Sequence, residues 1–259
     1  MWFPRFPAPR LPSLPSLCAV CHGWGRQRVC TACLQRHAPP TVRCGRCALE
    51  VPPGVRTCGN CLVTPPPFDR ALAAVGYVHP WSDLVLQLKF SAALDLSHSL
   101  ADLLADAALA RAQPLPELLL PMPLSLPRLR QRGFNQAWEL CRHLGPALSV
   151  PVAPDLLQRV RDTPHQLAFP VEGRAANVAK AFAPDPSRTG RLAGRHVAVV
   201  DDVMTTGATG AEAARALRQA GARRIEVWAV ARTPRQGDNP APCSTSSSSI
   251  PKSRPTPAT

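Results

Sequence analysis

The sequence predicts an α/β fold in which helices flank a parallel sheet, preceded by a small cysteine-rich module. The run 197–200 is wholly apolar, as is typical of strands buried on both faces of a parallel sheet. Helical patterns rich in leucine or alanine separate such runs along the chain. Eight of the ten cysteines lie between residues 18 and 61. A length of 259 residues suits one α/β domain with a small appendage.

Residues 1–17 are interrupted by five prolines and lack the continuous apolar core of a signal peptide. No long apolar run predicts a membrane helix either, so we expect an extended leader on a cytoplasmic protein. The formal net charge is +13, and nearly all of the positive residues are arginines. This charge favours contact with polyanions, although an arginine-rich genome explains it equally well.

The cysteines near the N-terminus form four Cys-x-x-Cys pairs, a spacing that points two thiolates at one tetrahedral ion. Two pairs complete a four-sulfur site, so residues 18–64 are predicted to form a double zinc ribbon with two structural zinc ions. The absence of a secretion signal disfavours disulfides, and the repetition disfavours a thioredoxin-like motif. Pairing in chain order is the default, and a crossed pairing stays open. The eight predicted ligands are Cys18, Cys21, Cys30, Cys33, Cys44, Cys47, Cys58 and Cys61.

Three prolines at 65–67 mark a linker, and residues 68–233 are predicted to form the α/β domain. Its first elements are a strand at 71–77 and amphipathic helices at 82–90 and 94–112. Lys89 lies near the end of the first of these helices. Two interpretations of this lysine stay open, contact with a ligand phosphate and simple solvation.

A predicted buried strand at 118–124 leads into a basic stretch, interpreted as a loop, and then into a helix at 137–144. The loop carries Arg128, Arg130 and Arg132, and the forked donors of arginine suit a pyrophosphate better than lysine does. Gly133 would let the backbone approach a ligand closely. For this stretch alone, a solvent-facing basic loop would be the preferred interpretation.

The segment 159–182 is polar, lacks clear periodicity and precedes the apolar run at 197–200. A mobile lid carrying arginines would neutralise a leaving pyrophosphate and exclude water from a reactive intermediate. The alternative is an ordinary surface hairpin. The predicted lid residues are Arg159, Arg161, Gln166 and Arg174.

The apolar run ends in Asp201 and Asp202, and a loop bearing hydroxyls and a glycine then leads into an alanine-rich helix at 210–220. Backbone N–H groups and the positive end of a helix at the mouth of a strand hold a phosphate. The two carboxylates would repel phosphate, so they fit neutral hydroxyls or a divalent cation on the same ligand. A ribose 5-phosphate satisfies both conditions. The predicted loop residues are Met204, Thr205, Thr206, Gly207, Ala208 and Thr209.

A final strand is predicted at 225–230, and residues 234–259, rich in proline, serine and threonine, are expected to be disordered.

The alternative interpretation of Asp201 and Asp202 is a buried strand that happens to end in two acids before an ordinary turn.

The motif Asp-Asp-x-x-Thr-Thr-Gly-x-Thr lacks the Gly-Lys-Ser/Thr of a Walker loop and the Gly-x-Gly-x-x-Gly of a Rossmann fold. It resembles the phosphoribosyl pyrophosphate (PRPP) motif of type I phosphoribosyltransferases. The whole chain resembles the ComF family of phosphoribosyltransferase-like proteins over residues 18–233. Besides that motif, the resemblance depends on the cysteine pairs, Pro-Pro-Phe-Asp at 66–69, Lys89-Phe90, Arg-Gly-Phe-Asn-Gln at 132–136, and the arginine-containing series at 159–177.

The resemblance implies a five-stranded parallel sheet of the type I phosphoribosyltransferase kind, a hood and a zinc module. It also implies a role in DNA uptake and natural transformation, with single-stranded DNA and a helicase as partners. Two functions are therefore carried forward. The first is a Mg²⁺-dependent transferase that binds PRPP, with Asp201, Asp202 and Arg161 as catalytic residues and the pyrophosphate under Arg130, Arg132 and the Gly133 backbone. The second is a non-catalytic adaptor for single-stranded DNA or a protein, with a PRPP site that is a sensor or a relic.

Overall fold

The structure is a computed structural model that describes residues 15–161 and 180–234. In chain order, the strands are β1 (Ser16–Leu17), β2 (Trp24–Gly25), β3 (Arg70–Gly76), β4 (Leu118–Pro121), β5 (Leu157–Arg159), β6 (Phe182–Pro184), β7 (His196–Met204) and β8 (Arg224–Arg232). The helices are α1 (Thr31–His37), α2 (Gly59–Val63), α3 (Trp81–Phe90), α4 (Leu96–Leu109), α5 (Leu126–Arg132), α6 (Gln136–Leu148) and α7 (Ala208–Gln219), with a 3₁₀ helix at Pro186–Arg191.

The central sheet has four parallel strands in the order β3-β8-β7-β4. The two central strands, β7 and β8, are buried along almost their whole length, which explains their nearly continuous apolar sequence. In the described residues a fifth strand is reduced to one parallel bridge, between Val152 and Leu119. Pro151 and Pro154 flank Val152 and cannot donate to a ladder, so the bridge does not extend.

Helices cover both faces of this sheet, which confirms the predicted α/β class. Leucines of α4 and α6, such as Leu100 and Leu144, pack on one face together with alternate residues of β7 and β8. On the other face, Leu217 of α7 packs against the remaining strand residues. The faces alternate residue by residue because successive side chains of a strand point to opposite sides.

The basic stretch predicted as a loop is instead the helix α5. Ser125 precedes this helix with an extended backbone, Pro127 lies in its first turn, and Gly133 ends it in the left-handed conformation, with φ of 82°. These are ordinary start and stop signals of a helix. The prediction was wrong because α5 contains no buried residue, so no apolar periodicity marks it.

The predicted lid begins and ends in a short antiparallel pair, since β5 pairs with β6. Residues 162–179, which include Gln166 and Arg174, lie outside the described residues, as do 1–14 of the leader and 235–259 of the tail. Within the described ranges, none of the helices combines the length and the apolar character needed to cross a membrane.

Candidate functional site

A cavity of about 260 Å³ opens at the carboxyl ends of the parallel strands, where ligands bind in open α/β sheets. Tyr77, directly after β3, lines it on one side and Met122, directly after β4, on another. The end of β7 and the loop behind it form the floor. The topology therefore gathers residues from distant parts of the chain at a single edge of the sheet.

The two acidic residues of β7 both line this cavity but differ in environment. Asp202 is 3% exposed, and its Oδ2 lies 2.9 Å from the Nζ atom of Lys89. Asp201 is partly buried, and its Oδ1 accepts a hydrogen bond of 2.9 Å from the Asp202 backbone N–H. Burial, reinforced by repulsion from Asp202, raises the pKa of Asp201 to about 8. At neutral pH, Asp201 therefore suits contact with ligand hydroxyls, and a bound cation would displace its proton.

Lys89 has a role that neither sequence interpretation anticipated. Its side chain is 19% exposed and forms the ion pair with Asp202. Burial lowers the pKa of Lys89, but the Asp202 carboxylate outweighs this effect and raises it overall. The sequence offered only a weak signal, a single lysine at the end of a helix in a domain whose other cations are mostly arginines.

The loop after β7 turns into a helix at the cavity wall. Thr205, Gly207 and Thr209 line the cavity, and α7 begins at Ala208, two residues before the predicted start. Gly207 has φ of 84°, a backbone conformation that favours glycine. The positive end of α7 therefore faces the cavity together with the loop amides, as a phosphate site requires. The side chain of Thr206 is exposed, and its Oγ1 accepts a 3.3 Å hydrogen bond from the Ala208 N–H.

The helix α5 divides the predicted pyrophosphate residues into two groups. Arg128 and Arg132, four residues apart on one helical face, line the cavity. Arg130 lies about 200° around the helix from Arg128, is exposed and does not line the cavity. Gly133 does not line it either, and a Cβ there would meet no atom within 4 Å, so its left-handed φ explains the glycine.

The Arg-Gly-Phe-Asn-Gln motif supports the arginine face of the cavity. The Asn135 side chain accepts hydrogen bonds from the first N–H groups of α6 and donates one of 3.1 Å to the Met122 carbonyl. Arg132 donates to the Gln136 Oε1 at 2.5 Å and lies 5.4 Å from the ring centre of Phe90. Burial lowers the pKa of Arg132, but a guanidinium remains charged at all physiological pH values. The motif thus fixes α5 and α6 at the mouth of β4.

One of the predicted lid residues reaches the cavity in the described part of the chain. Arg159, the last residue of β5, lines it and lies 5.4 Å from the ring centre of Phe182. Arg161 is exposed and is not part of the lining. The segment therefore contributes at least one positive charge opposite the acidic end of β7.

The eight N-terminal cysteines form two clusters in chain order. In each cluster the sulfur atoms lie within 4.8 Å of one another. The first cluster, termed cluster 1, contains Cys18, Cys21, Cys30 and Cys33, and the second, termed cluster 2, contains Cys44, Cys47, Cys58 and Cys61. Neither His22 nor His37 belongs to a cluster.

The donor set of both clusters fits tetrahedral zinc. The Cys21 and Cys30 sulfurs are 3.7 Å apart, and those of Cys47 and Cys58 are 3.6 Å apart. A ZnS₄ tetrahedron with Zn–S bonds of about 2.3 Å has edges of about 3.8 Å. The fourth position is filled by sulfur in each cluster, so these sites could hold structural metal ions.

Backbone N–H groups support the first thiolate of each cluster. Burial raises the pKa of Cys18, but hydrogen bonds from backbone N–H groups, including that of Cys30 at 3.4 Å, outweigh burial and lower it to about 6. The corresponding bond from the Cys58 N–H to the Cys44 sulfur is 3.3 Å, and the pKa of Cys44 falls to about 7 for the same reason. Such thiols ionise readily, and the thiolate is the form that binds a metal.

The family comparisons agree with this geometry. The family model described as the phosphoribosyl transferase domain matches residues 144–256. The DNA utilization protein YhgH of Salmonella typhi is 33% identical over 238 residues, which cover 90% of this chain and 96% of the relative. Competence protein F of Haemophilus influenzae is 33% identical over 222 residues, covering 83% of this chain and 96% of the relative. With a YhgH protein of Escherichia coli K12 at 32% identity over 81% of this chain and 91% of the relative, these matches show that the chain belongs to the ComF family.

Proposed function

We propose that the protein binds PRPP with Mg²⁺ in the cavity at the carboxyl edge of the sheet and transfers the phosphoribosyl group to an acceptor. The observation that carries this proposal is the meeting of three features at one cavity. They are the phosphate-suited loop at 205–209, the partly buried Asp201, and the paired cations Arg128 and Arg132. PRPP carries a phosphate, neutral ribose hydroxyls and a pyrophosphate, which match these three features one to one.

In this proposal each part of the ligand has its own contacts. The 5′-phosphate accepts hydrogen bonds from the loop amides at 205–209, at the positive end of α7, and the ribose hydroxyls contact Asp201. The pyrophosphate contacts Arg128 and Arg132. In this proposal Arg128 stands in place of Arg130 and the Gly133 backbone, which the sequence analysis expected at this position. Loop residues Met204, Thr206 and Ala208 would act through their backbone.

The catalytic requirement is stabilisation of charge as pyrophosphate leaves C1 of the ribose. Asp201 and Asp202 face the positive charge that develops on the sugar, while the arginines face the leaving group. Carboxylate oxygens are the ligands that Mg²⁺ prefers, and the Asp201 oxygen at the cavity fits that role; the ion would neutralise the pyrophosphate. Of the lid arginines in the described residues, Arg159 lines the cavity and Arg161 does not, and a catalytic role for Arg161 stays a prediction.

Isothermal titration with PRPP and Mg²⁺ tests this function. Asp201→Asn is expected to weaken binding by about tenfold to a hundredfold, the value of a hydrogen bond to a charged or hydroxyl partner that is lost. Asp106→Asn, an exposed acid on α4, is the matched control and is expected to leave binding unchanged. Equal affinities for the wild type and Asp201→Asn would contradict the assignment. Pyrophosphate release, screened across bases, amines and nucleic acids, then identifies the acceptor.

A second candidate function, nucleic-acid binding, is favoured by a cleft beside the main cavity. Lys89, Phe90, Arg128, Arg132 and Phe134 line this cleft, and Phe90 is 66% exposed. Cations that follow a phosphate backbone, with aromatic rings for stacking, are typical of single-stranded nucleic-acid sites. The names of the relatives, which refer to DNA utilization and competence, agree with this candidate.

Binding of a labelled single-stranded oligonucleotide at increasing salt tests the second candidate. Contacts to the phosphate backbone predict an affinity that falls steeply with salt, and Phe90→Ala should weaken binding further at every salt concentration. An affinity that is independent of salt would exclude it. A helicase partner and a role in natural transformation stay predictions of the family resemblance, and a cytoplasmic location stays a prediction from the sequence. The two functions are compatible in one protein.

A further inference from the structure

Arg232, the last residue of β8, joins cluster 2 to the proposed phosphate loop. Its side chain is 6% exposed. The Nε atom donates a hydrogen bond of 2.9 Å to the carbonyl of Cys47, a member of cluster 2. The Nη1 atom donates to the carbonyl of Met204 at 3.1 Å and also to that of Thr205. A single guanidinium thus holds backbone of the cysteine module on one side and the start of the loop on the other.

Apolar packing places the same two parts in contact. Ala48, directly after Cys47, belongs to the same buried cluster as Phe68 and Met204. Phe68 lies behind the loop, since a Cβ added to Gly207 would be 3.8 Å from its Cζ. The loop therefore packs against the cysteine module beside cluster 2 through side chains, in addition to its hydrogen bonds with Arg232. Any shift of the Cys47 backbone would be transmitted to it.

The negative charge of a metal-loaded cluster 2 would stabilise the buried guanidinium of Arg232. Four thiolates around one Zn²⁺ carry a net charge of −2, because each ligand must be deprotonated. The Arg232 guanidinium is buried beside this cluster, and the Cys47 carbonyl that accepts its Nε–H belongs to a residue that the ion would hold.

We propose that the metal in cluster 2 orders the phosphate loop through Arg232, so that the affinity for PRPP depends on occupancy of that cluster. Arg232 is a positioning residue, because it touches the loop backbone and lines no part of the cavity. This inference rests on the proposed function for its affinity readout and on loop order alone for a second readout. A structural zinc module would thereby control the ligand site without contacting the ligand.

The first test is a double-mutant comparison of PRPP affinity at fixed Mg²⁺. Cys61→Ser removes a ligand of cluster 2, and Arg232→Met removes the link. Each is expected to weaken PRPP binding about tenfold, equivalent to about 1.4 kcal/mol. If Arg232 carries the effect, the double variant is no weaker than either single variant. A double variant whose loss of PRPP affinity equals the product of the two single losses would overturn the proposal.

Matched controls separate this effect from general destabilisation. Arg224 lies on the same strand, roughly 26 Å from Arg232 at about 3.3 Å per residue, and pairs with Glu226. Arg224→Met should lower the unfolding temperature without changing PRPP affinity. Cys33→Ser removes a ligand of cluster 1, which packs against α3, so any loss of PRPP affinity that it causes should be independent of Arg232. In the variant that combines Cys33→Ser with Arg232→Met, the two losses of affinity should therefore multiply. Equal behaviour of Cys33→Ser and Cys61→Ser would overturn the assignment to cluster 2.

The second test needs no ligand and so distinguishes the two proposals. Hydrogen exchange of the peptide spanning 203–210 is measured by mass spectrometry alongside the zinc content. Arg232→Met is expected to keep both zinc ions yet exchange faster in this peptide, whereas Arg232→Lys shows an intermediate rate. If the wild type fails to bind PRPP but exchange responds in this way, the proposed function fails and the link stands. Unchanged exchange in Arg232→Met overturns the link, including when Cys61→Ser does not fold.

Discussion

Replacement of Lys89 by methionine should show how much the ion pair with Asp202 at the cavity contributes to the stability of the fold. Asp202 is 3% exposed, and its Oδ2 lies 2.9 Å from Lys89 Nζ. Removal of one member of a buried pair costs about 3–5 kcal/mol, because the remaining charge stays desolvated. Domains of this kind are stable by about 5–15 kcal/mol, so the expected loss is a large share. Methionine retains most of the aliphatic volume, and the effect therefore reports charge rather than a cavity.

The loss should depend on pH with a defined sign. Burial and Asp202 raise the pKa of Asp201 to about 8, and Lys89 is the positive charge that opposes this rise. In the wild type this pair of carboxyl groups already retains a proton up to about pH 8, and without Lys89 it retains protons to still higher pH, whereas the unfolded chain releases them near pH 4. A raised pKa in the folded state gives stability that is complete below the unfolded value and declines as the pH rises. The deficit of Lys89→Met relative to the wild type is therefore greater at pH 8 than at pH 5.

Urea unfolding at these two pH values, followed by the fluorescence of the buried Trp81 and Trp228, measures the deficit. Lys89→Met/Asp202→Asn, which removes both charges, is the control and should recover most of the lost stability. A deficit that is the same at pH 5 and pH 8 would refute the electrostatic reasoning. So would a double variant as unstable as the single one.

Three further tests address packing, backbone and charge. Gly210→Ala should lower stability by about 1–3 kcal/mol in thermal unfolding, because its Cβ would lie 2.8 Å from Val227 Cγ1, and an unchanged unfolding temperature would contradict this packing. Gly207→Ala should cost about 1–2 kcal/mol in the same assay because φ is 84°, whereas Gly207→Asn should cost less; equal losses would exclude backbone strain. Glu226 accepts hydrogen bonds from His196, Trp228 and Arg111, and its pKa is lowered to about 2 although burial opposes this. The stabilisation by the Glu226 carboxylate is present above pH 4.5 and lost toward pH 2. In Glu226→Gln the free energy of unfolding should therefore fall by roughly 3 kcal/mol less between these two pH values than in the wild type. An equal fall in both proteins would contradict this role.

The sequence predicted the elements whose signal is local. The apolar run at 197–200 became a central strand because parallel strands are buried on both faces. The cysteine spacing predicted two four-sulfur sites, and the structure groups the thiols in chain order, which spacing alone left open. The leucines of α4 likewise predicted a buried helical face.

Features that depend on contacts between distant residues were not accessible from the sequence. The pair of Lys89 with Asp202 and the bonds of Arg232 to Cys47 join separate elements, and no spacing rule reports them. The position of Arg130 outside the cavity lining was not accessible for a different reason. The helix α5 has no buried face, so its residues carried no helical periodicity, and the turn of the helix directs Arg130 away from the cavity.

A crystal structure of the protein with PRPP and Mg²⁺ tests the central claim most directly. We expect a 5′-phosphate within about 3 Å of the backbone nitrogens at 205–209 and ribose hydroxyls at the Asp201 carboxylate. It also predicts the pyrophosphate beside Arg128 and Arg132. A phosphate bound elsewhere on the chain, with the loop at 205–209 occupied by neighbouring side chains, would contradict it.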